Sequence, residues 1–184
     1  MPKIPKAAIV GTFPTHKSNR NFEWYYSGEG NRFWDVMAAV LECKFRHREN
    51  EPAKEERQAA MEKNGIVLTD MVKTCYRQDT LSQDHHLYPI TLINLIDLLN
   101  NNPTIDTVVF TSRTRVIGAL GLFETSLHQI NMPIPEMTTQ NGGMIEGWLP
   151  LGSREISLLV PYSPSKTLAE KGFVPTSRLI QMYR

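Results

Sequence analysis

Four short apolar runs, each broken at its end by a glycine, a proline or a polar residue, constrain the fold more than any other feature. They are Ala7–Val10, Ile66–Thr69, Thr107–Thr111 and Ile156–Val160. Runs of this length, rich in β-branched residues, suit strands buried on both faces. Helical patterns separate them. Between Asn31 and Glu42, the residues Phe33, Val36, Met37, Val40 and Leu41 share one face, with Phe33 and Trp34 as core anchors. Glu55–Lys63 reads as a second helix, stopped by Asn64-Gly65. Leu92–Leu99 is an amphipathic helix ended by Asn100-Asn101-Asn102-Pro103. Val116–Leu127 is another, with Ser112 or Thr114 as its cap, and Thr176–Tyr183 closes the series. Strand–helix alternation predicts an α/β fold: a three-layer αβα sandwich around a central four-stranded, mostly parallel sheet. The 184 residues suit one domain spanning 1–184. Met71–Arg77 reads as a long loop. The stretch 132–152 is rich in Pro and Gly and gives no clear element beyond a hairpin around Gly152-Ser153.

In an open parallel sheet, ligands bind at the C-terminal edge of the strands. Loops starting at Gly11, Asp70, Thr111 and Pro161 therefore converge on one site. The first is the most informative. It opens with Gly11-Thr12-Phe13-Pro14-Thr15, passes through Lys17-Ser18-Asn19-Arg20-Asn21, and carries Phe22, Trp24, Tyr25 and Tyr26 before Gly28 and Gly30. Four aromatics, two glycines and basic residues suggest a pocket for a flat, polar ligand.

Composition narrows the classes. The formal net charge is +1, so nucleic-acid binding would need a local basic face rather than bulk charge. The two cysteines, Cys43 and Cys75, have no metal-type spacing and read as free thiols in a reducing cytosol. Met1–Lys6 lacks the apolar core of a signal peptide, and no run approaches eighteen apolar residues. The expectation is a cytoplasmic chain with no membrane partner. His85 and His86 are adjacent, but adjacent side chains diverge and no third ligand has a recognised spacing, so no metal is expected. A polar loop tip near a phosphate backbone explains them equally well. Arg113 and Arg115 oppose the dipole of the helix they precede, which hints at an anionic partner, although an internal carboxylate would serve as well.

Three motifs in order carry a resemblance. They are Gly11-Thr12-Phe13-Pro14-Thr15, then Tyr25-Tyr26-Ser27-Gly28 with Asn31-Arg32-Phe33-Trp34, then Pro161-Tyr162-Ser163-Pro164-Ser165. Over nearly its whole length the chain resembles the uracil-DNA glycosylase superfamily, closest to its hypoxanthine (deoxyinosine) branch. The resemblance implies a monomer that excises a deaminated base from DNA without metal or organic cofactor, hypoxanthine first and uracil second. It implies base-binding roles for Gly11, Thr12, Phe13, Tyr26 and Asp70, with Phe13 stacking on the base. It maps the branch's functional Asn onto Asn31, which would position water. His16 is a candidate electrophile. Ser163, Pro164 and Ser165 match the family's minor-groove loop, and Arg113 and Lys166 are the nearest cations for phosphates.

Two departures shape this reading. Phe13 stands where the best-known uracil branch has a catalytic Asp, so water activation must come from elsewhere. Asp70 stands where related enzymes carry an Asn. An ionised carboxylate only accepts hydrogen bonds; it repels uracil's carbonyl oxygens yet can take an N–H from hypoxanthine. Each candidate also has a structural alternative: Phe13 as core, Asp70 as a loop cap, Asn31 as a helix cap. A superfamily member that binds a modified base or nucleotide without cleaving it is the alternative reading.

Overall fold

The computed structural model describes residues 2–80, 86–165 and 174–184. Eight strands and five α-helices follow in chain order: β1 (Ala7–Gly11), α1 (Phe33–Val40), α2 (Asn50–Lys63), β2 (Ile66–Asp70), β3 (Val72–Arg77), β4 (Leu87–Leu92), α3 (Leu95–Asn101), β5 (Thr107–Phe110), α4 (Ala119–Gln129), β6 (Met137–Thr139), β7 (Ile145–Leu151), β8 (Arg154–Val160) and α5 (Thr176–Tyr183). The four expected strands lie side by side and parallel, in the order β2-β1-β5-β8.

The sheet is larger than the expected four strands. β7 and β6 extend it antiparallel beyond β8, giving a mixed six-stranded sheet. Gly147 and Pro150 hide the alternation of β7. Its inward face is Ile145, Gly147, Leu149 and Leu151, and Gly147 is needed because Met137 Sδ occupies the space a side chain would fill. The β7–β8 hairpin turns at Gly152, with φ +64°, where the sequence places it.

Met71–Arg77 is not a loop. After a single step at Met71 the chain re-enters extended structure as β3, which pairs antiparallel with β4 in a separate two-stranded arm. Leu92 therefore ends a strand, and α3 starts only at Leu95, capped by Asn94 Oδ1 accepting from Asp97 N at 3.1 Å. α4 starts at Ala119 rather than Val116, and its cap is Gly118 rather than Ser112 or Thr114. Gly118 packs against Ser112 and Thr114, leaving no room for a side chain.

Alternation along the central strands divides the core into two layers. Ala8, Val10, Val67, Val108, Phe110, Ile156 and Leu158 face α3 and α4, meeting Leu95, Leu99, Leu120 and Phe123. Ile9, Leu68 and Val109 face the other way, towards Phe22, Phe33, Trp34, Met37 and Met61. Helices thus cover both faces of the parallel half, as a three-layer sandwich requires. Gly65, at φ +69°, ends α2 where expected and leads directly into β2. Among the described residues, no helix is long and apolar enough to cross a membrane.

Candidate functional site

The C-terminal ends of β1, β2 and β5 meet at one edge of the sheet. Gly11 and Asp70 are register partners, and the Asp70 carboxylate lies in the space a Gly11 side chain would fill. A Cβ on Gly11 would also come within 2.9 Å of Tyr26 Oη. That hydroxyl in turn lies 3.2 Å from Thr111 Oγ1. Glycine at position 11 is therefore what admits a carboxylate and a phenol over the strand end. Thr12 and Thr111, both buried, close the floor.

The first loop holds its shape through aromatic packing. Tyr26 stacks on Phe33 with ring centroids 3.9 Å apart, and Trp24 stacks on Trp34 at 5.5 Å. Trp34 Nε1 donates to Tyr25 O at 3.0 Å. This clamp holds Tyr26 at φ +53°, a left-handed conformation that bulky residues rarely adopt. The residue so strained is the one whose hydroxyl reaches the sheet edge.

A cleft of ≈ 370 Å³ opens there. Phe13, Trp24, Tyr25, Asp70, Val72 and Lys73 are among the residues that line it. Arg77 covers one side of Phe13, with its guanidinium carbon 5.4 Å from the ring centroid and Nη2 donating to Pro14 O at 2.6 Å. Burial first, and the Asp70 charge second, push the phenols of Tyr25 and Tyr26 up from their ordinary value. Both therefore stay protonated at neutral pH. The cleft thus combines the Asp70 carboxyl group, the neutral phenol of Tyr25 and flat apolar walls, which suits a heterocycle with a polar edge.

The other candidates lie elsewhere. Asn31 caps α1, its Oδ1 accepting from Phe33 N at 2.9 Å, and it is not among the cleft-lining residues. His16 Nδ1 pairs with Ser18 Oγ at 2.7 Å at the start of a short 3-10 turn, Lys17–Asn19, also outside the lining. The Ser-Pro loop docks beside Asn31, with Pro164 O accepting from Arg32 N at 2.9 Å. Ser163 Oγ accepts from Ser165 N at 3.3 Å. Arg113 directs its donors inward, to Pro161 O at 2.9 Å, Val160 O at 3.1 Å and Gly143 O, and lies over the Tyr162 ring. Its side chain fixes the end of β8, which answers the two arginines' sequence puzzle without an outside anion. Arg115 pairs with Glu124 at 2.5 Å. Lys166 and His85 lie outside the described residues.

Sequence reasoning placed Trp24 in the aromatic loop that suggested a pocket, but did not find Lys73 or Arg77 as parts of this site. Arg77 has no sequence signal, because its place depends on an arm that read as a loop. Among the described residues, no group of three or more His, Cys, Asp and Glu side chains could hold a metal ion. Burial pushes the Cys75 thiol up, against the opposite pull of Arg77, so it offers little thiolate at neutral pH. Comparison with protein-family models finds none that matches the chain, and comparison with curated protein sequences finds no match either.

Proposed function

We propose that the chain is a DNA glycosylase that hydrolyses the N-glycosidic bond of a deaminated base, with hypoxanthine preferred over uracil. The observation that carries this reading is the placement of the Asp70 carboxylate in the wall of a cleft shared with Phe13, Trp24 and Tyr25. Excision requires the nucleotide to leave the helix and its base to sit between apolar walls with its polar edge read by hydrogen bonds. In the proposed complex, Phe13 stacks on the base and Asp70 accepts the lactam N–H of hypoxanthine. Tyr25, kept protonated, supplies a neutral donor to the base as it departs. Water adds at the sugar C1′ as the C1′–N bond breaks; the bonding pair leaves on the base nitrogen, and the proton lost by the water is matched by the one that nitrogen takes up, giving an abasic sugar and the free base. An ionised Asp70 opposes negative charge on that base, so neutral donors must carry the stabilisation. Asn31 is the proposed water-positioning group, approached from the Ser-Pro loop side, where Ser163 and Ser165 would meet the backbone. The described cysteines, Cys43 and Cys75, are free, which suits a reducing cytoplasm.

A second reading is favoured by one observation. Asn31 Oδ1 already caps α1, and Phe13 stands in the cleft where a carboxylate base would be expected. A protein that binds a modified base without cleaving it fits that pair of facts. Incubation with oligonucleotides containing deoxyinosine, deoxyuridine or deoxyxanthosine, followed by alkaline opening of abasic sites, separates the two. Cleavage of the deoxyinosine strand is the expected result. Binding without cleavage selects the second reading, and neither binding nor cleavage removes DNA from both.

A further inference from the structure

The arm of β3 and β4 presents two different faces. Its inner face belongs to the cleft and core: Lys73 lines the cleft, Cys75 packs against the core, and Arg77 holds Phe13 and Pro14. Its outer face carries Tyr76 and Tyr88, which are register partners with ring centroids 5.9 Å apart. They are 66% and 55% exposed, and Ile90 beside them on β4 is 70% exposed. Large apolar side chains exposed together on a two-stranded ribbon are candidates for a surface that meets a partner.

We propose that this face is a stacking platform for single-stranded nucleic acid, engaging unpaired bases that flank the nucleotide held in the cleft. The inference rests on the DNA reading given above. Three observations choose the occupant. The patch is built around two tyrosines rather than aliphatic residues, and an aromatic ring can stack on any base. It lies close to the cleft, because β3 supplies the cleft-lining Val72 and Lys73 and, three residues further on, the exposed Tyr76. Two exposed lysines lie nearby, among carboxylates that include Glu23 and Asp70 in the cleft lining. Exposed Lys73 lies on the arm itself, and exposed Lys17 lies on the turn whose Asn19 Nδ2 donates to Thr80 O at 2.9 Å. Asp79 is the exposed carboxylate on the described part of the arm. A phosphate backbone following Lys17 and Lys73 would carry its bases past the tyrosine pair.

The test uses the full chain and a fluorescein-labelled oligonucleotide, in single- and double-stranded forms, with and without one deoxyinosine. Tyr76→Ala and Tyr88→Ala alter exposed side chains, so folding is unaffected and is checked by thermal melting. Each is expected to weaken single-strand binding roughly ten-fold. Tyr76→Phe and Tyr88→Phe, which keep the ring, should bind as the parent does. The salt slope of binding should not change, because stacking releases no counterions. Parental affinity in the double alanine variant overturns the platform, even if the parent cleaves deoxyinosine. Loss of affinity in a protein that cleaves none of the deaminated bases supports the platform and removes the glycosylase. A parent that dimerises through this face in sedimentation, with oligonucleotide binding indifferent to the tyrosines, assigns the patch to a second copy and overturns the proposal.

Discussion

At the scale of single residues, Gly11, Asp70 and Asn31 bear most of the functional argument. Gly11 makes room for the Asp70 carboxylate, so the proposed base-reading group depends on the absence of a methyl one strand away. Asp70→Asn replaces an acceptor-only group with one that also donates. It is expected to move preference towards uracil, read as the ratio of single-turnover rates on deoxyuridine and deoxyinosine strands; an unchanged ratio removes Asp70 from base reading. Asn31 holds two candidate roles that one substitution can separate. Ser is also a good cap, so Asn31→Ser should hold the melting temperature within a few degrees, whereas Asn31→Ala loses about 1 kcal/mol. If Asn31 positions water, cleavage falls in both variants while DNA binding persists. If it is only a cap, cleavage in Asn31→Ser stays at the parental level. The sequence made Gly11 and Asp70 legible because both sit at strand ends. It could not show that Asn31's oxygen turns to Phe33 N, since capping and catalysis ask for the same residue at the same place.

At the scale of elements, the parallel strands and most helices were readable because each carries a continuous apolar signal. The additions were not, for physical reasons particular to each. β3 has two successive exposed residues, Lys73 and Thr74, where its register shifts, and it follows β2 after one residue, so it shows no clean alternation and its pattern merges with a strand end. β7 conceals its alternation behind Gly147 and Pro150. α2 depends on features that no periodicity records. Arg57 is buried among Phe22, Trp34 and Phe45, 4.7, 5.4 and 4.8 Å from their ring centroids, and it donates to His47 O and Ala53 O. Its neighbour Glu56 accepts from Arg46 N at 2.8 Å and His47 N at 3.0 Å, tying down the preceding loop. Burial alone would push the Glu56 carboxyl up, but those amides and the charges of His47 and Arg57 hold it below its ordinary 4.5. The folded state therefore prefers the ionised form. This contribution is complete above pH 4.5 and disappears as pH falls through the lower folded value. Glu56→Gln should lower the melting temperature at pH 7, and the difference from the parent should shrink as pH falls below 4.5.

At the scale of the whole molecule, a parallel half bears the site and an antiparallel half widens the sheet away from it. With a net charge of +1, the chain lacks a bulk field, so the proposed binding of DNA would have to draw on local cations such as those beside the cleft. The logarithm of single-strand affinity should fall with the logarithm of salt by about 0.7 for each phosphate neutralised, giving a slope near 2 for contacts by Lys17, Lys73 and one further cation. A slope several times steeper would mean phosphate contacts beyond these three cations. The expected sandwich followed from strand order alone, and three of the four expected loop starts meet at one edge, while the Pro161 loop docks beside Asn31; the charge distribution around the cleft was not legible, because it depends on how the arm folds back.

One hydrogen bond sets a condition on how the molecule comes into being. Arg32 Nη1 donates to Val174 O at 2.8 Å, joining segments 142 residues apart at the start of α1. Strand β1 and its loop leave the ribosome first, but the end of α1 beside Asn31 gains this partner only when residues 174–176 have been made. Synthesis from the N-terminus therefore yields a core before it yields a finished site, and a chain stalled before Val174 would carry every cleft-lining residue with the neighbouring helix end still unsupported.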